Sequence, residues 1–427
     1  METDMHKTTR LSLKNGVGLT CVTTNQPKTS CLSAMLVLPL SDASRSSSAL
    51  LPYVLRSSCR DYPGQQAVAA QLDRLYGALL QPVVRKRGEA QLIGFAADVI
   101  DERFALSDAG ALFKGTAQLL CALLLHPQMP PRDVLAREIK QRCAAVAALS
   151  DDKRAWAVRR MYQYMCADEA YSAVELGDPE ALRAITPEQL MEHYGRVMQT
   201  APMELFYCGS LPPEAVAEQL QAALCERPEI EQPVRPTFFA PRRPVRDTLA
   251  AVTEEEKVAQ GKLTIGLRTG ITAFDADYPA MVLFNACFGG STASRLFRTV
   301  REQMSLCYYA STQTDKLKGV MAVASGIENE SEPRARAEIL RQLELMQQGV
   351  TAEETEAARR SVTASLQAMY DAPLSLENFY QTQAAAGLTE TLDELIERIR
   401  RVTPDEVTAA ARKAVPDTIY FLKGAGA

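Results

Sequence analysis

Ile185-Thr186-Pro187-Glu188-Gln189 and Val402-Thr403-Pro404-Asp405-Glu406 are two copies of one helix-start signal, and their placement decides how the chain is organised. In both, the threonine hydroxyl can accept from the backbone at the third helical position, and Gln189 or Glu406 can return the bond. Proline takes the first helical position, where its missing N–H would have had no partner anyway. Each helix then leads to an apolar stretch that ends near glycine. One is Leu205-Phe206-Tyr207-Cys208-Gly209, the other Ile419-Tyr420-Phe421-Leu422-Lys423-Gly424. A single start of this kind is common. The same start leading into the same strand at the end of each half indicates a duplicated unit.

Outward from these two ends, the halves follow the same order of elements. Leu11-Ser12-Leu13 and Val17-Gly18-Leu19-Thr20 alternate around Asn15-Gly16, which tolerates the positive φ of a tight turn, so residues 10–24 read as a hairpin. Residues 31–40 alternate as a third strand, 49–55 and 65–76 read as helices, and 79–99 as two strands around Arg87-Gly88-Glu89. Leucines at helical spacing across 101–125 stop at His126-Pro127, and two further helices follow near 131–149 and 151–166. In the second half, 262–267 reads as a strand, 280–286 and 292–303 as helices, and 307–327 as a strand pair. Helical patterns at about 334–348, 351–370 and 390–414 come next. Prolines 228, 233, 236, 241 and 244 separate the halves. Lacking a backbone donor and fixing φ, they exclude helix or central strand and make a stiff linker. The expectation is an α+β chain of two tandem homologous domains, each a mostly antiparallel sheet packed with helices. They span residues 1–225 and 251–427, with the linker at 226–250.

Composition agrees with two cores and narrows the partners. At 427 residues the chain suits two domains of about 200 residues each. Its 47% hydrophobic and 23% charged residues are those of a soluble globular protein. A formal charge of -5 argues against nucleic acid or an acidic membrane as the main partner. The basic run Arg85-Lys86-Arg87 reads as a solvated turn between strands. No secretory h-region and no apolar run near the ~20 residues of a spanning helix are visible. Ten cysteines without a C-x-x-C pair suit a reducing compartment and no cysteine zinc site, so a cytoplasmic location is expected.

The second half carries the most specific string. Phe288-Gly289-Gly290-Ser291 is followed by Ser294-Arg295-Leu296-Phe297, Val300-Arg301-Glu302 and Leu306-Cys307-Tyr308-Tyr309. This string resembles the C-terminal half of the insulinase/pitrilysin zinc metallopeptidases, especially the mitochondrial-processing-peptidase-like branch. Within it, the likeness leans towards a bacterial subfamily linked to the modification of elongation factor P. The resemblance implies paired α+β domains that close, two pairs together, into a hollow chamber. It also implies an H-x-x-E-H helix near the N-terminus, whose histidines bind zinc and whose glutamate is the general base. A downstream glutamate would complete the ligand set.

The chain departs from that pattern where the chemistry sits. Aligning the flanking residues places Ala49 and Tyr53 at the histidine positions and Pro52 at the glutamate. Glu138 matches a supporting glutamate, here read as an exposed helix residue, while the distal ligand position falls at Ala145. His6, His126 and His193 show no ligand spacing and read as structural or surface residues. No metal site is expected in this chain, and zinc is expected in a partner.

What the resemblance retains is Arg301 and Tyr308, at the positions whose side chains help stabilise the tetrahedral oxyanion in active members. On residue type alone, Arg301 reads as a solvated helix residue and Tyr308 as a strand residue packing on the core; within the surrounding string the two readings are near even. Gly289-Gly290-Ser291 reads as a peptide-contacting loop or as the bend between two helices. The leading reading is a catalytically inactive subunit that pairs with a zinc-bearing homologue around a peptide or unfolded polypeptide. A structural or peptide-binding scaffold, and an atypical peptidase active alone, are the alternatives.

Overall fold

Both capping boxes form. Thr186 accepts from the Gln189 amide at 3.2 Å and Gln189 returns the bond at 3.0 Å. Thr403 and Glu406 do the same at 3.3 and 2.7 Å. The computed structural model describes residues 6–106, 110–230, 234 and 248–425. The linker reading therefore falls largely outside the described residues, with Pro228 alone of its five prolines inside them.

Six strands form the first sheet: β1 (His6–Ser12), β2 (Val17–Thr24), β3 (Thr29–Pro39), β4 (Leu79–Arg87), β5 (Ala90–Ile100) and β6 (Met203–Gly209). Their order is β1-β2-β6-β3-β5-β4. The second sheet contains β7 (Ala250–Glu256), β8 (Gly261–Arg268), β9 (Tyr309–Asp315), β10 (Val320–Ile327) and β11 (Val415–Gly424), in the order β7-β11-β8-β10-β9. Pairing is antiparallel except between β2 and β6 and between β7 and β11. The strand after each capping box, β6 or β11, thus holds the same place in its sheet, with one parallel and one antiparallel neighbour. The duplication read from two short motifs extends to the topology.

The first half supplies helices α1 (Arg45–Leu55), α2 (Gly64–Arg74), α3 (Ala111–Leu125), α4 (Arg132–Ala147), α5 (Lys153–Met165), α6 (Pro179–Arg183), α7 (Pro187–Thr200) and α8 (Pro213–Ala223). The second supplies α9 (Tyr278–Asn285), α10 (Glu332–Gln348), α11 (Ala352–Gln367), α12 (Pro373–Ala385), α13 (Leu392–Arg401) and α14 (Pro404–Lys413). Alternation on β3, β5 and β6 turns Leu32, Ala34, Phe95, Ala97, Leu205 and Tyr207 to one face. There they bury against Leu50 and Leu51 of α1 and Leu119, Leu120 and Leu123 of α3.

The chain folds into two compact units, and neither is continuous in sequence. One gathers the described residues up to Ala147, those of 173–230, and Ala368–Thr391. The other gathers Ala148–Ser172, the stretch from residue 248 to Gln367, and the chain from Leu392 onward. Each half therefore gives one helix to the sheet of the other half. Helix α5 lays Ala157, Val158, Met161, Tyr162 and Met165 on Val320, Ala322, Ala324, Tyr420 and Leu422 of the second sheet. Gly266 on β8 makes room for it, since a Cβ there would overlap the Met161 and Met165 sulfurs. Glu254 of β7 takes hydrogen bonds from Arg160 and Tyr164 of α5 and from Tyr420, and the Arg160 bond leads in holding its carboxyl down at about 2.

Helix α12 docks on the first sheet by polar contacts. Arg85 pairs with the fully buried Glu377 at 2.7 Å, Arg87 reaches Asn378 and Thr382, and Gln381 donates to Ser33 and to the Glu204 carbonyl. This corrects the reading of Arg85-Lys86-Arg87 as a solvated turn. The run is the end of β4, and its arginines are spent on α12. Helix α12 and strand β7 were not anticipated from sequence, and the pattern at 390–414 is two helices divided at Thr403. No helix among the described residues is long and apolar enough to cross a membrane.

Candidate functional site

Helix α1 carries Ala49, Pro52 and Tyr53, which the resemblance aligned with the zinc motif. Ala49 is fully buried, Pro52 sits inside the helix, and Tyr53 is half-buried. Proline there has no N–H to give the Ser48 carbonyl, so it breaks the hydrogen-bond ladder where the family's general base would stand. Helix α4 packs beside α1 and brings Glu138, Arg142 and Ala145 onto one face by their spacing of four and three. The Arg142 guanidinium lies 3.5 Å above the Tyr53 ring, a cation–π contact.

Glu138 is 3% exposed, which corrects its reading as an exposed residue. Its Oε1 takes a hydrogen bond from Arg137 at 3.2 Å, and its Oε2 is buried without a partner. Arg142 Nε is likewise buried and unpartnered. Zinc needs about three imidazole, thiolate or carboxylate ligands converging on one point. Here one helix offers a methyl, a pyrrolidine and a phenol, and the other a single carboxylate, Glu138, beside a guanidinium that would repel a dication. The residues present do not fit the metal. Among the described residues no three His, Cys, Asp or Glu side chains are placed to hold one. A cavity of about 550 Å³ opens just beyond, walled by Val54, Ser58, Gln128, Met129, Val134 and Arg137.

The histidines have structural partners. His193 Nε2 meets Ser48 Oγ at 2.9 Å in the buried joint between α7 and α1. Burial, with a smaller push from Arg196, lowers its pKa to about 4. His126 ends α3 between Asp61 and Glu226, and His6 stacks on Tyr370. The His193 shift sets the sign of a pH effect. Above pH ~6.5 both folded and unfolded forms are neutral, and between ~6.5 and 4 only the unfolded form takes up the proton. Stability is therefore lost as pH falls through that window, by an amount on the order of 3 kcal/mol. Urea unfolding of the wild type and H193Q at pH 7 and pH 4.5 is expected to show the gap between them close or reverse on acidification. A constant gap would mean that His193 is protonated in the folded chain.

In the second half, Ala286–Gly290 and Leu296–Gln303 are π-helical turns, which occur often at functional sites. Gly289 is buried, and a Cβ on it would press on Thr312. Gly290 is exposed, but a Cβ on it would meet Asn285. Ser291 closes the turn by donating to the Ala286 carbonyl at 2.9 Å. Arg301 is exposed, its guanidinium 4.5 Å from the Phe297 ring centre. Tyr308 is 56% exposed just before β9, and its hydroxyl donates to Glu328 at 2.7 Å. Arg301 lies in the last turn of the π-helical stretch and Tyr308 in the link from it to β9, both open to solvent. Sequence reasoning missed Arg142 and Glu328. Neither has a spacing signal, because each matters only through the side chain it meets.

Over 421 residues, covering 97% of both proteins, the chain is 32% identical to the probable inactive metalloprotease YmfF of Bacillus subtilis. The chain belongs to the M16 metallopeptidase family. The family description "Peptidase M16 inactive domain" matches residues 184–362, which include the string from Phe288 to Tyr309. Among solved structures, a conserved protein from Enterococcus faecalis is 25% identical, with a TM-score of 0.85 over 98% of each chain. A peptidase M16 inactive domain from Pseudomonas fluorescens shares the fold, with a TM-score of 0.77 over 99% of each chain at 19% identity.

Proposed function

We propose that this chain is a non-catalytic M16 subunit that pairs with a zinc-bearing homologue around a peptide-holding chamber and lends it Arg301 and Tyr308. The observation that carries the reading is an asymmetry. The positions aligned with the metal motif carry Ala49, Pro52 and Tyr53, the last under the Arg142 guanidinium, whereas Arg301 and Tyr308 are exposed on the retained string. The relative at 97% coverage is itself named as probably inactive, which supports the same reading. Ten unpaired cysteines, most of them buried, suit a cytoplasmic location.

Elemental analysis tests the proposal. The purified chain is expected to hold far less than one zinc. Co-expression with its nearest H-x-x-E-H homologue is expected to yield a complex with about one zinc per pair and peptidase activity only in that complex. Stoichiometric zinc in the chain alone, or failure to co-purify, would sink the reading. The second reading, a peptide-binding scaffold, is favoured by the engagement of Tyr308 with Glu328 in the chain itself. It wins if Arg301→Ala and Tyr308→Phe leave the activity of the complex intact.

A further inference from the structure

A tyrosine hydroxyl has one proton to give and two lone pairs with which to accept. In this chain that proton is already directed. Tyr308 Oη donates to Glu328 Oε1 at 2.7 Å, a charge-assisted bond. Both residues sit just past the end of the strand ladder. The Tyr308 amide bonds to the Gly326 carbonyl at 2.9 Å at the open end of the β9–β10 hairpin, and Glu328 follows directly on β10. The carboxylate also pushes the phenol pKa up, so the hydroxyl stays protonated and oriented. What faces solvent is then the oxygen of Tyr308 and the second oxygen of Glu328, and both are acceptors.

We propose that Glu328 is a positioning residue for Tyr308, and that the pair binds a hydrogen-bond donor of the peptide, its backbone N–H, rather than a carbonyl oxygen. The inference rests on the part of the proposed function that places Tyr308 against bound peptide. It changes the role that the family resemblance gives to this residue. With its proton held by the carboxylate, the phenol offers an acceptor to the peptide and grips the ground state.

Fluorescence anisotropy with the purified full chain and a fluorescein-labelled, unstructured peptide of Ala, Ser, Gln and Leu reads this directly. Tyr308→Phe and Glu328→Ala are each expected to weaken binding about fivefold or more, the size of one hydrogen bond. Glu328→Gln, whose amide oxygen still accepts from Tyr308, is expected to restore most of it. Phenol ionisation followed in the ultraviolet should move to lower pH in Glu328→Ala, a change that a loss of packing would not cause. If Glu328→Ala binds as well as or better than the wild type while Tyr308→Phe binds worse, Tyr308 donates to the peptide and the inference is overturned. It is also overturned if no form binds. Co-purification reads pairing with a zinc-bearing homologue separately, so the two ideas can fail independently.

Discussion

Arg268→Ala is expected to destabilise the unit built on the second sheet by about 3–5 kcal/mol, the range for removing one partner from a buried ion network. Arg268 stands on β8 and is 14% exposed. Its Nε donates to Asp417 at 2.9 Å, and its Nη2 donates to Glu169 at 2.8 Å and to the Met165 carbonyl at 2.9 Å. Glu169 also meets Lys318 at 2.5 Å, and neither of these two side chains is more than 3% exposed. Burial alone would push the Glu169 carboxyl up, yet the bonds from Lys318 and Arg268 together outweigh it and hold it below the ordinary range. Alanine leaves two carboxylates in the interior with less compensation than they were built around. Urea unfolding should show a lower midpoint, and Arg268→Lys should recover only part of the loss, since an ammonium cannot span both carboxylates and the carbonyl. A change under about 1 kcal/mol would mean that water already screens the network.

Asp101→Ala should cost the unit built on the first sheet about 3 kcal/mol or more. Its carboxylate is buried and takes bonds from Ser30 Oγ at 2.7 Å, the Ser210 amide at 3.0 Å, and the Arg103 amide and Nε at 3.2 and 2.6 Å. It thereby ties the start of β3 to the ends of β5 and β6. Burial raises its pKa, but the bonds led by Arg103 and Ser30 lower it by more, and the net shift is down. A depressed carboxylate contributes stability above its unfolded pKa of ~3.9, and that contribution is lost as pH falls through the folded value. The difference between wild type and Asp101→Asn should therefore narrow below pH ~4. A difference that stays constant to pH 3 would assign the effect to packing.

The sequence showed most of this fold because most of it obeys one period at a time. Alternation in β3 and the leucine spacing of α3 mark the residues that meet in the first core, although β3 and β5 are buried on their other face as well. Helix α12 gave no such signal. Glu377, Gln381, Thr382 and Gln383 are buried beside Leu376, Phe379 and Tyr380, so polar and apolar residues share every face and no stripe emerges. Strand β7 ends in three glutamates, which break any apolar alternation and are paired with cations of α5 and with Lys423. At the candidate site, the missing ligands were visible as residue types. That Arg142 lies on Tyr53, and that Glu138 is buried, depends on two helices meeting, which no local pattern encodes.

The exchange of α5 and α12 changes what connects the halves of this protein. In a chain whose domains follow one another like beads, the linker is the only tie, and cutting it frees two folded bodies. Here the first half alone would keep α5 with Met161, Tyr162 and Met165 stripped of their sheet, and the second half would carry α12 with Glu377 stripped of Arg85. Each half is a clasp for the other, so a break in the peptide between residues 230 and 248 would leave one molecule of two pieces.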